Sequence, residues 1–212
     1  MHLSRVSIVL FAKAPVAGRV KTRMMPQLTA EQACRLHERL LQGTLKRIAL
    51  ASLSPMYLYS TATDHPYIQH CAETFEIPLR QQVGNNLGER MYHALQQQLE
   101  QDRNDACILI GSDCPDMDQN YLRQAVTALQ EGNDVVIGPA EDGGYVLLGC
   151  RRISAAMFDD IEWGRETVLE ETRSRLDRLG WCYHELSTLT DLDRYEDLER
   201  YPELLGAIQH SH

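Results

Sequence analysis

The sequence predicts an α/β sandwich built on a mostly parallel central sheet. Three observations carry that expectation. Short β-rich apolar runs alternate with amphipathic helical stripes along the whole chain. One run, residues 106–111, is apolar throughout, as in a central strand covered on both faces. Polar, glycine-bearing segments follow these runs, and sheets of this kind bind ligands beyond the carboxyl ends of their strands. The 212 residues contain no Pro/Gly/Ser-rich linker, internal repeat or low-complexity tract, so residues 1–212 read as one domain. A domain of that size buries roughly 70–75% of its unfolded surface.

Residues 6–11 read as the first buried strand. It runs into Phe11-Ala-Lys-Ala-Pro-Val-Ala-Gly-Arg-Val-Lys-Thr-Arg23. The chain has a formal net charge of −9, yet no Asp or Glu precedes Glu31, and Arg5, Lys13, Arg19, Lys21 and Arg23 all fall in this opening part. A bound diphosphate needs backbone N–H groups that approach closely, plus Lys or Arg heads. Gly18 lets the main chain turn without a Cβ, and Pro15 stiffens its start. The loop is not a Walker A motif, because Val20 rather than Gly precedes Lys21. The plain alternative is a solvated basic loop.

Thr29-Ala-Glu-Gln32 has the form of a capping box opening a helix that runs to about Ala51. Residues 56–59 form a second strand, 67–75 a helix and 79–82 a short third strand. Leu87, Met91, Ala94, Leu95 and Leu99 then make a helical stripe. At its start, the glycines and Asn86 of Val83-Gly-Asn-Asn-Leu-Gly-Glu-Arg-Met91 either line a base or ribose pocket or simply begin the helix.

The central run ends in Gly111-Ser-Asp-Cys-Pro-Asp116. A carboxylate placed there can bind a hard divalent cation that bridges phosphate oxygens, and Asp113, immediately beyond the strand, is the first choice. Asp116 and Asp118 are alternatives for capping the next helix, marked by Tyr121, Leu122, Ala125, Val126 and Leu129. Residues 135–138 and 145–148 are strands separated by Glu141-Asp-Gly-Gly144. That segment is a hairpin turn; alternatively, Asp142 orients an acceptor hydroxyl or takes its proton while Gly143 and Gly144 leave room for substrate. Trp163, in Trp163-Gly-Arg-Glu-Thr-Val168, covers an acceptor or anchors a loop.

A helix over 166–179 and a strand over 182–186 follow, with short helices beyond Asp193. Asp193 or Thr190 is a plausible N-cap there. Asp191 and Asp193 alternate as in extended chain, so one of the two faces a given site and can supply a second carboxylate to a metal.

Whole-chain features exclude several classes. An acidic protein lacks the extended basic surface that general nucleic-acid binding needs. No apolar run approaches the ~20 residues that cross a bilayer, and the opening residues do not form a signal peptide. The six cysteines include no Cys-x-x-Cys pair, which fits reduced thiols and a cytoplasmic location. Ser112 and Cys114 have no base partner evident in the sequence.

Taken in order, the segments Phe11 to Arg23, Leu87-Gly-Glu-Arg-Met91, Gly111 to Asp116, Gly138-Pro-Ala-Glu-Asp-Gly-Gly-Tyr145 and Asp191-Leu-Asp-Arg-Tyr-Glu-Asp-Leu198 resemble the radical-SAM/selenodomain-associated transferase 1 family. That family is glycosyltransferase-like and belongs among the nucleotide-diphospho-sugar transferases of GT-A fold. The resemblance implies that Phe11, Ala12, Lys13, Gly18, Arg19, Lys21 and Arg23, with Asn86 and Gly88, form a nucleotide site. It implies Mg²⁺ or Mn²⁺ on Asp113 with Asp191 or Asp193, a catalytic role for Lys21 and Asp142, and an acceptor side of Asp142, Gly143, Gly144 and Trp163. The chain departs from the family at Asn86, where Asp is usual, and at Arg194-Tyr195, where Thr-Pro is usual.

The implied reaction transfers a sugar from a nucleoside-diphosphate sugar to a small acceptor. Its rival joins a nucleoside triphosphate to a phosphorylated small molecule and releases pyrophosphate; a further alternative is a non-catalytic nucleotide-binding module. The expected partners are a nucleotide or nucleotide-sugar donor and a small acceptor, with neither nucleic acid nor membrane. The oligomeric state is not legible.

Overall fold

The computed structural model describes residues 5–25, 27–51, 55–101 and 104–209. Seven strands form one sheet: β1 (Val6–Ala12), β2 (Met56–Ser60), β3 (Leu79–Gln81), β4 (Ala106–Ile110), β5 (Val135–Pro139), β6 (Tyr145–Cys150) and β7 (Tyr183–Glu185). Their spatial order is β3-β2-β1-β4-β6-β5-β7. β1 pairs in parallel with β2 and β4, β2 with β3, and β5 with β7, whereas β6 runs antiparallel to both β4 and β5. Six strands therefore share one direction and only β6 is reversed. The expected mostly parallel sandwich is the observed one.

The helices are α1 (Ala30–Ala51), α2 (Pro66–Thr74), α3 (Leu87–Gln96), α4 (Gln119–Gln130), α5 (Val168–Leu179) and α6 (Pro202–Gln209). α1 begins at the expected box: the Gln32 N–H donates to Thr29 Oγ1 (3.2 Å) and the Thr29 N–H to Gln32 Oε1 (2.9 Å). Strand alternation splits the core in two. Ile8, Leu10 and Ala12 point to the face covered by α1, α2 and α4. Val9 and Phe11 point to the face covered by α3 and α5. Each such Ile, Leu, Val or Phe side chain removed from water contributes roughly 1.5–3 kcal/mol. A third apolar cluster unites Met24 from the loop after β1, Leu36 and Leu40 of α1, and Leu192, Leu198, Tyr201 and Ile208 near the C-terminus.

Several local expectations are corrected. α5 starts at Val168 rather than 166, because residues 166–167 form a turn in which the Val168 N–H donates to the Arg165 carbonyl at 3.3 Å. The helical turn Tyr195–Arg200 is capped by neither Asp193 nor Thr190. Asp197 instead reaches back to accept from the N–H groups of Asp193 (2.9 Å) and Arg194 (2.7 Å). Asp118, not Asp116, caps α4, accepting from the Tyr121 N–H at 2.7 Å. Asp116 accepts from the Tyr201 hydroxyl. None of the six cysteines forms a disulfide. No helix among the described residues is long and apolar enough to cross a membrane.

The chain adds β2 and β3 on one side of β1 and β4 on the other. The gap beyond the carboxyl ends of β1 and β4 is thus the topological switch point, where open α/β sheets bind ligands.

Candidate functional site

The loop after β1 is held inward by Val20 and Met24, 3% and 0% exposed. Between them Lys21 adopts φ 50°, a left-handed conformation unusual for a residue with a Cβ. This turn buries the Lys21 side chain to 4% exposure and sets Nζ 2.9 Å from Asp113 Oδ1. Nζ also donates to the Leu192 carbonyl. The Leu192 N–H in turn donates to the Asp113 carbonyl at 2.8 Å. Three segments distant in sequence therefore meet at one ion pair.

His37 of α1 stands behind that pair. Its Nε2 lies 2.9 Å from the Lys13 carbonyl and Nδ1 3.9 Å from Asp113 Oδ1. A carbonyl only accepts, so Nε2 carries the proton, and Nδ1 is too far from the carboxylate for a hydrogen bond. Burial lowers the His37 pKa and outweighs the nearby Asp113 charge, leaving the ring neutral. Burial acts upward on the Asp113 carboxyl, but Lys21, His37 and the Ser112 hydroxyl together hold it below the usual carboxylate range. The Asp113 side chain remains 46% exposed, so a ligand can still reach it.

Asp191 and Asp193 flank the fully buried Leu192, and the extended chain sends them different ways. Asp193 accepts from Arg23 at 2.7 Å. Asp191 turns toward Asp142 and Lys21. Its pKa is pushed up to about 6, first by burial and then by the charges of Asp142 and Asp193. Asp142 lies in the β5–β6 connection, where its Oδ1 accepts from the Gly144 N–H at 2.8 Å.

Asp113, Asp142, Asp191 and Asp193 border two adjoining cavities, while Lys21 and His37 stand behind Asp113 and line neither. The first, of about 300 Å³, is lined by Phe11, Asp113, Asp142, Gly144, Trp163 and Asp191, with apolar walls from Leu87, Met91, Leu109 and Val168. Tyr145 packs edge-on against Trp163, with ring centroids 6.5 Å apart. The second, of about 490 Å³, shares Asp142, Gly164, Arg165 and Asp191 and adds Arg23 and Asp193.

Other expected residues stand elsewhere. Lys13 and Arg19 are exposed on the loop, and Gly18 (φ +78°) has open space beside it. Ala12 is buried under the sheet. Asn86 lines neither cavity. It caps α3, accepting from the Glu89 N–H at 2.9 Å while its amide donates to Glu89. Gly88 lies against the Trp163 indole, where a Cβ would come within 2.6 Å of the ring. Gly143 provides no room for substrate, because a Cβ there would meet the Glu166 carbonyl oxygen at 2.0 Å. Arg165, Glu166 and Arg194 lie inside segments that the sequence singled out, but nothing there assigned them a role. His37, in the middle of α1, carried no signal in the sequence.

No cluster of three or more His, Cys, Asp or Glu side chains among the described residues has metal-binding geometry. The residues still suit a hard cation. Asp113 and Asp191 face one cavity, Asp191 is raised by burial and then by the neighbouring Asp142 and Asp193 charges, and Mg²⁺ usually takes only one or two protein carboxylates. Asp193 faces the other cavity and is engaged by Arg23.

A family model described as "Uncharacterized protein conserved in bacteria (DUF2064)" matches residues 44–165. No curated protein matches the chain. Among solved structures, a protein from Desulfovibrio desulfuricans G20, provisionally assigned as a nucleotide-diphospho-sugar transferase, is 28% identical with a TM-score of 0.84, over 97% of this chain and 90% of that one. A 4-diphosphocytidyl-2C-methyl-D-erythritol synthase from Anaerococcus prevotii has 11% identity and a TM-score of 0.63, over 95% and 98%. Glucosyl-3-phosphoglycerate synthase from Mycobacterium tuberculosis, in complex with Mn²⁺, UDP and glucosyl-3-phosphoglycerate, has 13% identity and a TM-score of 0.57, over 97% and 76%. These neighbours are transferases; at 11% and 13% identity the likeness shows the fold alone.

Proposed function

Because this chain belongs to the DUF2064 family and shares the fold of nucleotide-diphospho-sugar transferases and cytidylyltransferases, we propose that it transfers a glycosyl group from a nucleoside-diphosphate sugar to a small acceptor. The narrower membership, in the radical-SAM/selenodomain-associated transferase 1 family, is part of the same reading, as is action within a single domain. The observation that carries it is the ion pair of buried Lys21 with Asp113 at the switch point, beside a cavity that also holds Asp142 and Asp191.

In this reaction the acceptor hydroxyl oxygen bonds to the anomeric carbon. The bond from that carbon to the diphosphate oxygen breaks, and its electron pair leaves with the nucleoside diphosphate. The hydroxyl proton passes to the Asp142 carboxylate. Lys21, held from two sides, is a preorganised donor for the charge that develops on the leaving group. Exposed Lys13 and Arg19 supply further positive charge along the phosphates. Mg²⁺ or Mn²⁺, held by Asp113 and Asp191, would neutralise diphosphate charge. Trp163 and Phe11 supply apolar walls that orient the substrate.

Nucleotidyl transfer is the second reading, favoured by the cytidylyltransferase-like fold and by the two exposed basic side chains after β1. Product analysis separates them. Incubation with sugar nucleotides and Mn²⁺ is expected to release nucleoside diphosphate; pyrophosphate from a nucleoside triphosphate would favour the second reading. A thermal-shift panel tests both, since a ligand at 100 times its Kd adds about 2.7 kcal/mol of stability. No stabilisation by any sugar nucleotide or nucleoside triphosphate, with or without Mn²⁺, would overturn both.

A further inference from the structure

The cavity next to the Asp113 pocket carries an excess of negative charge. Six carboxylates line it against three guanidiniums. Much of this is already paired: Arg23 holds Asp193 at 2.7 Å, Arg200 reaches Glu141 at 3.2 Å, and Arg165 leans toward Glu162 at 3.6 Å. Asp142, Asp191 and Glu166 have no ion-pair partner among the described residues, and Asp197 spends its carboxylate on two backbone N–H groups. Arg194 lines the cavity beside them, and Lys21 and Arg23 act on Asp191 and Asp142 from farther off. The lining still holds six carboxylates to three guanidiniums, so a divalent cation on Asp113 and Asp191 would leave Asp142, Glu166 and Asp197 facing Arg194.

The adjoining wall is of a second kind. Trp163 lines the first cavity, backed by Tyr145 and Phe158, and the two cavities meet at Asp142 and Arg165. Carboxylates beside an apolar aromatic wall attract an alkylammonium by charge and by burial of its carbon groups. A phosphorylated or carboxylated acceptor would meet repulsion in the same place.

We propose that the acceptor at this site is a cation, a small alcohol bearing an ammonium group, seated between the Asp142–Glu166 edge and the Trp163 wall. The ammonium is the handle and a hydroxyl remains the nucleophile, because a fully substituted or protonated nitrogen has no lone pair to attack with. This rests on the glycosyl-transfer reading and deepens it by naming the acceptor class. It also disfavours the nucleotidyl reaction, whose acceptor is phosphorylated.

The test uses three probes of one shape on the full chain with Mg²⁺ and UDP. Choline is the cation, 3,3-dimethylbutan-1-ol its neutral isostere and 3,3-dimethylbutanoate its anionic one. Saturation-transfer NMR is expected to rank choline about tenfold tighter than the alcohol, a size typical of a partly solvated charge contact, with the anion not competing. High salt and Glu166→Gln should each shrink the choline preference while leaving the alcohol unchanged. Equal binding of choline and the alcohol, tighter binding of the anion, or no binding of any probe overturns the proposal. Nucleotide binding is scored separately: failure of every nucleoside diphosphate, UDP included, removes the transfer reading, whereas binding of one of them without a choline preference removes only the acceptor assignment.

Discussion

Lys21 combines a costly backbone with a well-satisfied side chain. A left-handed residue carrying a Cβ costs on the order of 1–2 kcal/mol, and here its ammonium gains Asp113 and the Leu192 carbonyl in return. Strain held in place by surrounding contacts is a mark of functional positions. Lys21→Ala is expected to lower glycosyl-transfer turnover by on the order of 10²–10³-fold, the usual cost of losing one aimed donor. Turnover near the parent's would remove Lys21 from the chemistry. Its neighbour His37 makes a separate expectation about pH. The folded ring has a lowered pKa, so the unfolded state binds the proton more readily. The stability tied to the neutral ring is complete above the ordinary histidine value of about 6.5 and is lost as pH falls below it. Melting curves should show His37→Gln losing less stability than the parent between neutral pH and pH of about 5.5; equal losses would place the acid sensitivity elsewhere.

At the scale of elements, most boundaries follow from local chemistry. The Thr29–Gln32 box starts α1 where the side chains demand it, and the apolar run of β4 is buried at every position. The start of α3 was also visible, but its purpose was not. Asn86 and Gly88 read equally well as a base pocket or a helix start. Only the packing of Trp163, 75 residues away, shows that Gly88 is small because an indole lies on it. Gly88→Ala places a Cβ 2.6 Å from that ring. The variant should lose about 1–3 kcal/mol, as overpacked sites do, with an altered near-UV aromatic signal. An unchanged Tm and spectrum would mean that the indole moves aside freely.

At the scale of the whole molecule, the site depends on an apolar cluster outside the two faces of the sheet. Leu192 is fully buried in it, between the divergent Asp191 and Asp193, and its main chain bonds both Lys21 and Asp113. Tyr201 and Ile208 of the C-terminal region share that cluster with Met24 and α1, so this region clasps the basic loop. Leu192→Ala should cost about 2–5 kcal/mol in urea unfolding and reduce transfer activity even where the chain remains folded. Parent-like activity in the folded variant would separate the cluster from the site.

The sequence by itself determined the order of strands and helices, the mostly parallel sheet and the segments that meet at its carboxyl edge. Hydrophobic period, capping residues and turn residues act over a few positions, and these are local quantities. Only the tertiary structure decided that Lys21 turns inward onto Asp113, that Asp191 and not Asp193 shares that cavity, and that Gly143 packs rather than opens. The first two outcomes depend on side chains more than 70 residues apart meeting in one space, and the third on the Glu166 main chain folding back onto Gly143, neither of which a local pattern records.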